Sequence, residues 1–194
     1  MNIDAKFEKI SKYAEDPTIV IPTRKTKESA GYDFCAAEDI VIYPYNGDEW
    51  QDNVARGITR CYDNLEAYNE ALPLSLADAA AIFKYGNCKV NLVPTGIKCK
   101  IPDGHYLQLS IRSSLPLKHW LILGNSVGIV DADYYNNPDN EGHIYFQIIN
   151  LAPFPIKIQR GECFGQGILL PYGVCADEAE VTAERDGGFG STSE

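Results

Sequence analysis

Residues 90–111 read VNLVPTGIKCKIPDGHYLQLSI, and they set the fold. β-branched and aliphatic residues come in short runs, and Pro94, Gly96, Pro102 and Gly104 interrupt them. Such punctuation suits short strands joined by tight turns. Leu107, Leu109 and Ile111 alternate with Gln108 and Ser110, so this strand has one drier and one wetter face. The same texture recurs in TIVIP (18–22), DIVIYP (39–44), IYFQIIN (144–150) and FPIKI (154–158). Many short strands with Pro and Gly turns predict an all-β chain, folded as a distorted jelly roll or β-barrel-like sandwich.

Residues from about 45 to 87 break this pattern. CYDNLEAYNEAL (61–72) and LSLADAAAIFKYG (74–86) read as two short helices separated by Pro73. Asp63 with Glu66, and Ser75 with Asp78, are capping pairs, and Gly86 is a stop. This is a helical insert in a β domain, serving as packing or as a docking surface for a protein partner. IDAKFEKISKYAED (3–16) is expected to form a short helix with Ile3, Phe7 and Ile10 on one face. AERDGGFGSTSE, at the end, has the composition of a frayed tail. One domain over 1–183, followed by an arm over 184–194, is the expected organisation.

A formal net charge of −10 argues against duplex nucleic acid, which requires a basic face. A small polyanion can still bind where arginines, backbone N–H groups and a divalent metal cluster locally. No window reaches the ~18 apolar residues of a membrane span, and the N-terminus lacks a signal-peptide core. A cytoplasmic protein is expected. Cysteines stand at 35, 61, 88, 99, 163 and 175 without a C-x-x-C pair, and His105, His119 and His143 are scattered. Reduced, mostly buried thiols are therefore expected, and no zinc site.

Four segments carry chemistry. In SAGYDF (29–34), Gly31 allows close backbone approach and Asp33 opens a strand. In IRSSLP (111–116), Arg112 with Ser113 and Ser114 suits phosphate oxygens. In GNSVGIVDADYY (124–135), Gly124 and Gly128 bracket a tight hairpin whose backbone can read a base edge. Asp131 ends its apolar run, where partial desolvation makes a better general base, and Tyr134 offers a ring to a sugar. In RGECFGQG (160–167), the polar Gln166 stands where an apolar strand begins. Each alone is also an ordinary turn or sheet-edge pattern. Together they fit metal-assisted hydrolysis of a nucleotide phosphate, without a Walker A loop.

These segments, with ERDGGFGSTS (184–193), resemble in order the five motifs of the trimeric deoxyuridine triphosphatases (dUTPases) of bacterial and phage type. The resemblance implies hydrolysis of dUTP to dUMP and pyrophosphate with Mg²⁺. It implies that Asp131 activates the attacking water and that Arg112 and Ser113 contact phosphate, with Ser113 near the leaving oxygen. Ser114 belongs to the same phosphate turn. Gln166 would lie near the phosphates and water, and Asp33 would reach the metal through water. Asn125, Val127, Gly128 and Val130 would read uracil, and Tyr134 would pack on deoxyribose and exclude a 2′-hydroxyl. Arg185, Phe189, Gly190, Ser191 and Thr192 would belong to a mobile arm that closes over a neighbouring subunit's site in a homotrimer.

Three features depart from the family pattern. YNNPDNEGH (135–143) is a longer turn than usual, Asp186 replaces a glycine, and the insert is large. The alternatives are a dCTP deaminase or bifunctional enzyme of the same fold, and a dUTPase-like regulatory protein acting through its insert. GIVDADY matches the dUTPase third motif rather than the deaminase one.

Overall fold

The computed structural model describes residues 3–44, 91–152, 154–179, 181–182 and 185. The expected insert helices, and the arm residues Phe189, Gly190, Ser191 and Thr192, lie outside the described residues. Among the described residues the regular structure is mostly strand, as expected.

The strands are β1 (Lys6–Lys9), β2 (Tyr32–Cys35), β3 (Ile40–Ile42), β4 (Asn91–Pro94), β5 (Ile97–Lys100) and β6 (His105–Ile111). One short helix, α1 (Ser114–His119), follows, then β7 (Leu121–Leu123), β8 (Gly128–Val130), β9 (Tyr145–Asn150), β10 (Ile156–Ile158) and β11 (Cys163–Pro171). A four-stranded sheet runs β2-β11-β6-β8, and a three-stranded sheet runs β4-β9-β7. The ribbons β1-β5 and β10-β3 flank them, and every one of these strand pairings is antiparallel.

The core lies between the two larger sheets. Phe34 of β2, Phe146 of β9 and Phe164 of β11 are fully buried. Phe146 meets Phe34 at 5.5 Å and Phe164 at 5.0 Å between ring centroids, the tilted and edge-on contacts aromatic rings favour. Gly165 is required here, because a Cβ at that position would run into the Phe146 ring. The alternation expected in β6 is present, with Leu107 and Leu109 buried and their neighbours half-buried. Among the described residues, the polar Asn150 is fully buried. Asn150 donates to the carbonyls of Ile42 (2.9 Å) and Phe154 (2.7 Å) and accepts from the N–H of Ala152 (2.8 Å), tying β9 to β3 and to the loop after it.

Three expectations are corrected. Residues 3–16 are not a helix. Lys6–Lys9 pairs with Lys100–Ile97 of β5, and Phe7 packs on Tyr32 and Phe34, so only Ser11–Tyr13 makes a 3₁₀ turn. Tertiary pairing outweighs a weak helical period here. Thr18–Pro22 forms no strand either. The Asp16 carboxylate accepts from the N–H and hydroxyl of Thr18 and turns the chain, as Asp side chains do. Nor are all the thiols free, because Cys35 and Cys163 are joined by a disulfide. Cys99 is buried and Cys175 exposed, both as thiols.

Candidate active site

The expected tight hairpin around Asn125 is corrected to a turn between two strands that do not pair with each other. Leu121–Leu123 pairs with β9, and Gly128–Val130 pairs with Leu109–Leu107 of β6. The intervening turn is closed by Val127 N–H donating to Asn125 O (2.6 Å), with Ser126 in the left-handed region at φ 61°. Because β7 belongs to one sheet and β8 to the other, the turn opens a cleft of about 260 Å³ between them. Asn125, Gly128, Val130, Asp131, Tyr134 and Arg185 line it, together with Gln147, His143 and Tyr145 of the opposite wall. Val127 stands outside this lining and is partly exposed.

Asp131 caps and Asp133 lies within a short 3₁₀ turn, Ala132–Tyr134, at the mouth of the cleft. Arg185 spans both acids. Its Nη2 donates to Asp131 Oδ2 at 2.6 Å and its Nε to Asp133 Oδ1 at 2.9 Å, while its guanidinium carbon lies 5.9 Å from the Tyr134 ring centroid. The Asp131 side chain is 50% exposed, so this chain alone does not desolvate it as the sequence led one to expect. Tyr134 is buried. Its hydroxyl donates to His143 O (3.2 Å) and accepts from Asn140 Nδ2 (2.8 Å), and burial pushes its phenol pKa up. The long turn therefore has a visible local effect, because it supplies the group that fixes the tyrosine. His143 accepts the Gly96 N–H at Nε2 (2.8 Å), and burial lowers its pKa to about 4, so the ring is neutral.

A second group gathers elsewhere. Asp33 and Gln166 are cross-strand partners in β2 and β11, and Gly165 is paired with Ile111, next to Arg112. Arg112 Nη1 donates to Cys163 O (3.0 Å), and its Nη2 lies 3.9 Å from Asp33 Oδ2. A Cβ at Gly31 would sit 2.7 Å from Gln166 Oε1, so a side chain there would displace the Gln166 amide. Asp33 Oδ2 is buried and accepts no hydrogen bond. Ser113 and Ser114 are exposed at the start of α1.

The two groups are at opposite ends of β6. Val130 faces Leu107, whereas Arg112 follows Ile111. At about 3.3 Å per residue, roughly 15–20 Å separates the Asp131 end from the Arg112 end. The chain thus brings Asn125, Gly128, Val130, Asp131, Tyr134 and Arg185 together, and Asp33, Arg112 and Gln166 together, but does not join the two sets. Asp133, His143 and Gln147 were not picked out from sequence. The signals were present: a second acid in DAD, and a polar residue inside the apolar strand IYFQIIN.

A model of the dUTPase family matches residues 71–193. The chain belongs to the dUTPase family. It is 36% identical over 187 residues to a deoxyuridine 5′-triphosphate nucleotidohydrolase of Lactococcus lactis subsp. lactis, covering 96% of this chain and 95% of that one. The dUTPase of Streptococcus mutans superposes with a TM-score of 0.62 at 32% identity, over 87% of this chain and 97% of that one. The dUTPase of Staphylococcus aureus phage phi11, at 16% identity, shares the fold with a TM-score of 0.56 over 92% and 96% of the two chains. The family places the chain among the nucleotide hydrolases, with a jelly-roll-like β fold. Among the described residues no helix is long and apolar enough to cross a membrane.

Proposed function

We propose that the chain hydrolyses dUTP to dUMP and pyrophosphate, with Asp131 as general base. The observation that carries this is the cleft between the two sheets, walled by a backbone turn, closed on one side by a fixed tyrosine and fringed by a carboxylate. Uracil presents one donor flanked by two acceptors, and the turn with Asn125 offers complementary groups. Tyr134, held by Asn140 and the His143 carbonyl, gives deoxyribose a flat floor with no slack for a 2′-hydroxyl. Val127, Gly128 and Val130 shape the base end.

Asp131 accepts a proton from water as the water oxygen bonds to the α-phosphorus. The bond from that phosphorus to the bridging oxygen breaks, and its electron pair leaves with pyrophosphate. Arg112, Ser113 and Ser114 grip the phosphates, Ser113 donates toward the leaving oxygen, and Gln166 orients the water. These groups sit at the far end of β6 in the same chain, so we assign them to the site whose Asn125 turn comes from a neighbouring subunit of a homotrimer. The arm, residues 184–194, closes over the cleft; the resemblance implies a neighbour's site, whereas Arg185 here rests on Asp131 and Asp133 of its own chain. Phe189 covers the base, while Arg185, Gly190, Ser191 and Thr192 hold phosphate and exclude bulk water.

Mg²⁺ fits the phosphate end. Asp33 Oδ2, buried and without a hydrogen-bond donor, suits a carboxylate that accepts from the water shell of a cation. Among the described residues no group of three or more His, Cys, Asp or Glu side chains gathers to hold a metal ion. When bound, Mg²⁺ supplies neutralisation of phosphate charge.

The test is pyrophosphate and ammonia release from dUTP, dCTP, UTP and dTTP, with and without Mg²⁺. Pyrophosphate from dUTP alone is expected, and Asp131→Asn should abolish it with the fold intact. Ammonia from dCTP would move the chain to the deaminase branch. No product from any of the four would leave only a binding role.

A further inference from the structure

We infer that the Cys35–Cys163 pair is a redox-responsive modification site that sets the geometry of the phosphate end. The activity arm of this inference rests on the function proposed above. The two residues are register partners of β2 and β11, and the register shifts at a bulge between Cys163 and Gly165. At that bulge the Cys163 carbonyl accepts Arg112 Nη1 at 3.0 Å. Asp33 lies two residues before Cys35, and Gln166 lies three after Cys163. One covalent bond therefore joins the two strands that carry the acid and the amide, and it does so at the residue that holds the arginine.

The bond is placed for exchange. It holds the two Cα atoms 3.7 Å apart. Opening the bond removes the covalent tie between the two strands where Arg112 is seated. Cys35 is 8% exposed, whereas Cys163 is half-buried and reachable. The backbone ladder continues past the pair through Ala36 N–H to Glu162 O (3.0 Å) and Gly161 N–H to Ala36 O (2.8 Å), so the two sulfurs stay opposed after reduction.

The co-reactant is a low-molecular-weight disulfide such as oxidised glutathione. The Cys163 thiolate attacks one of its sulfurs, forming a mixed disulfide and releasing one thiolate. The Cys35 thiolate then displaces the second and closes the protein bond. Two electrons pass to the small disulfide, and the two cysteine protons end on the two released thiols. The reverse exchange opens the bond. In thiol-rich compartments such bonds serve as sensors rather than staples.

The experiment equilibrates the full chain in buffers from reduced to oxidised glutathione. Alkylation with mass spectrometry then gives the state of Cys35 and Cys163, and each sample is assayed for dUTP hydrolysis. The expected result is reversible formation of this bond. With it, kcat/KM should be roughly 3- to 30-fold higher in the oxidised form, because misplacing a phosphate ligand is costly. A Cys35→Ala/Cys163→Ala variant should lose the response and behave as the reduced form. Alkylation of both cysteines even in excess oxidised glutathione would overturn the inference. So would equal kcat/KM in the two states, or a double variant that still responds. If the double variant does not fold, the wild-type titration decides alone. Absence of hydrolysis in both states would sink the dUTPase reading itself, and this control with it.

Discussion

Arg185 is held at the mouth of the cleft by two carboxylates, and its removal should be felt by an incoming triphosphate. Arg185→Ala leaves Asp131 and Asp133 uncompensated beside the proposed α-phosphate position. A unit charge pair at about 4 Å is worth ~1 kcal/mol in water and ~4 kcal/mol at an effective dielectric of 20. With the Arg185 side chain 22% exposed and those of Asp131 and Asp133 50% and 59% exposed, the effective value falls toward the lower limit. A net loss of about 1–2 kcal/mol lowers kcat/KM roughly 5- to 30-fold. Arg185→Lys keeps the charge but cannot span both acids with a planar fork, so it should fall between. The assay is steady-state pyrophosphate release from dUTP at two ionic strengths, where screening should narrow the gap between wild type and variant. Thermal unfolding should be nearly unchanged, since the contact is at the mouth. Activity of Arg185→Ala within twofold of wild type would refute the reasoning.

Two further outcomes test buried polar groups of the fold. His143 is neutral in the fold, with a pKa lowered to about 4, whereas an unfolded histidine titrates near 6.5. Below pH 6.5 the unfolded chain binds the extra proton, so stability should be full above that pH and fall toward pH 4. The loss should reach about 2 kcal/mol at pH 5. Urea unfolding at pH 7 and pH 5 checks this, and His143→Gln should flatten the dependence. Asn150→Leu removes two donors and one acceptor from a fully buried position and should cost about 2–4 kcal/mol. Calorimetry should show the lowered Tm.

The β6 alternation and the Pro–Gly punctuation made the sheet architecture legible, because period-two burial and turn chemistry are written in adjacent residues. The N-terminal strand was not legible, since what makes Lys6–Lys9 extended is an open edge on β5, more than eighty residues away. The same holds for Thr18–Pro22, where a local Asp16 turn won over β propensity. For the site, turn, acid and tyrosine could be read as one contiguous stretch. The Arg185 fork on Asp131 and Asp133 could not, because it depends on where the chain's end returns. The Cys35–Cys163 bond was hidden for a like reason: cross-strand register, not spacing, makes the two sulfurs neighbours.

The central claim is that two half-sites, one carrying Asp131 and the other Arg112 and Gln166, meet only between subunits. The direct measurement is complementation. Asp131→Asn and Arg112→Ala chains, each inactive alone, are co-expressed and purified as mixed oligomers, and dUTP hydrolysis is measured. In an equal mixture about a quarter of the sites pair two unaltered halves, so about a quarter of wild-type activity should return. Mixed oligomers as inactive as their parents would place both halves of each site in one chain and contradict the account.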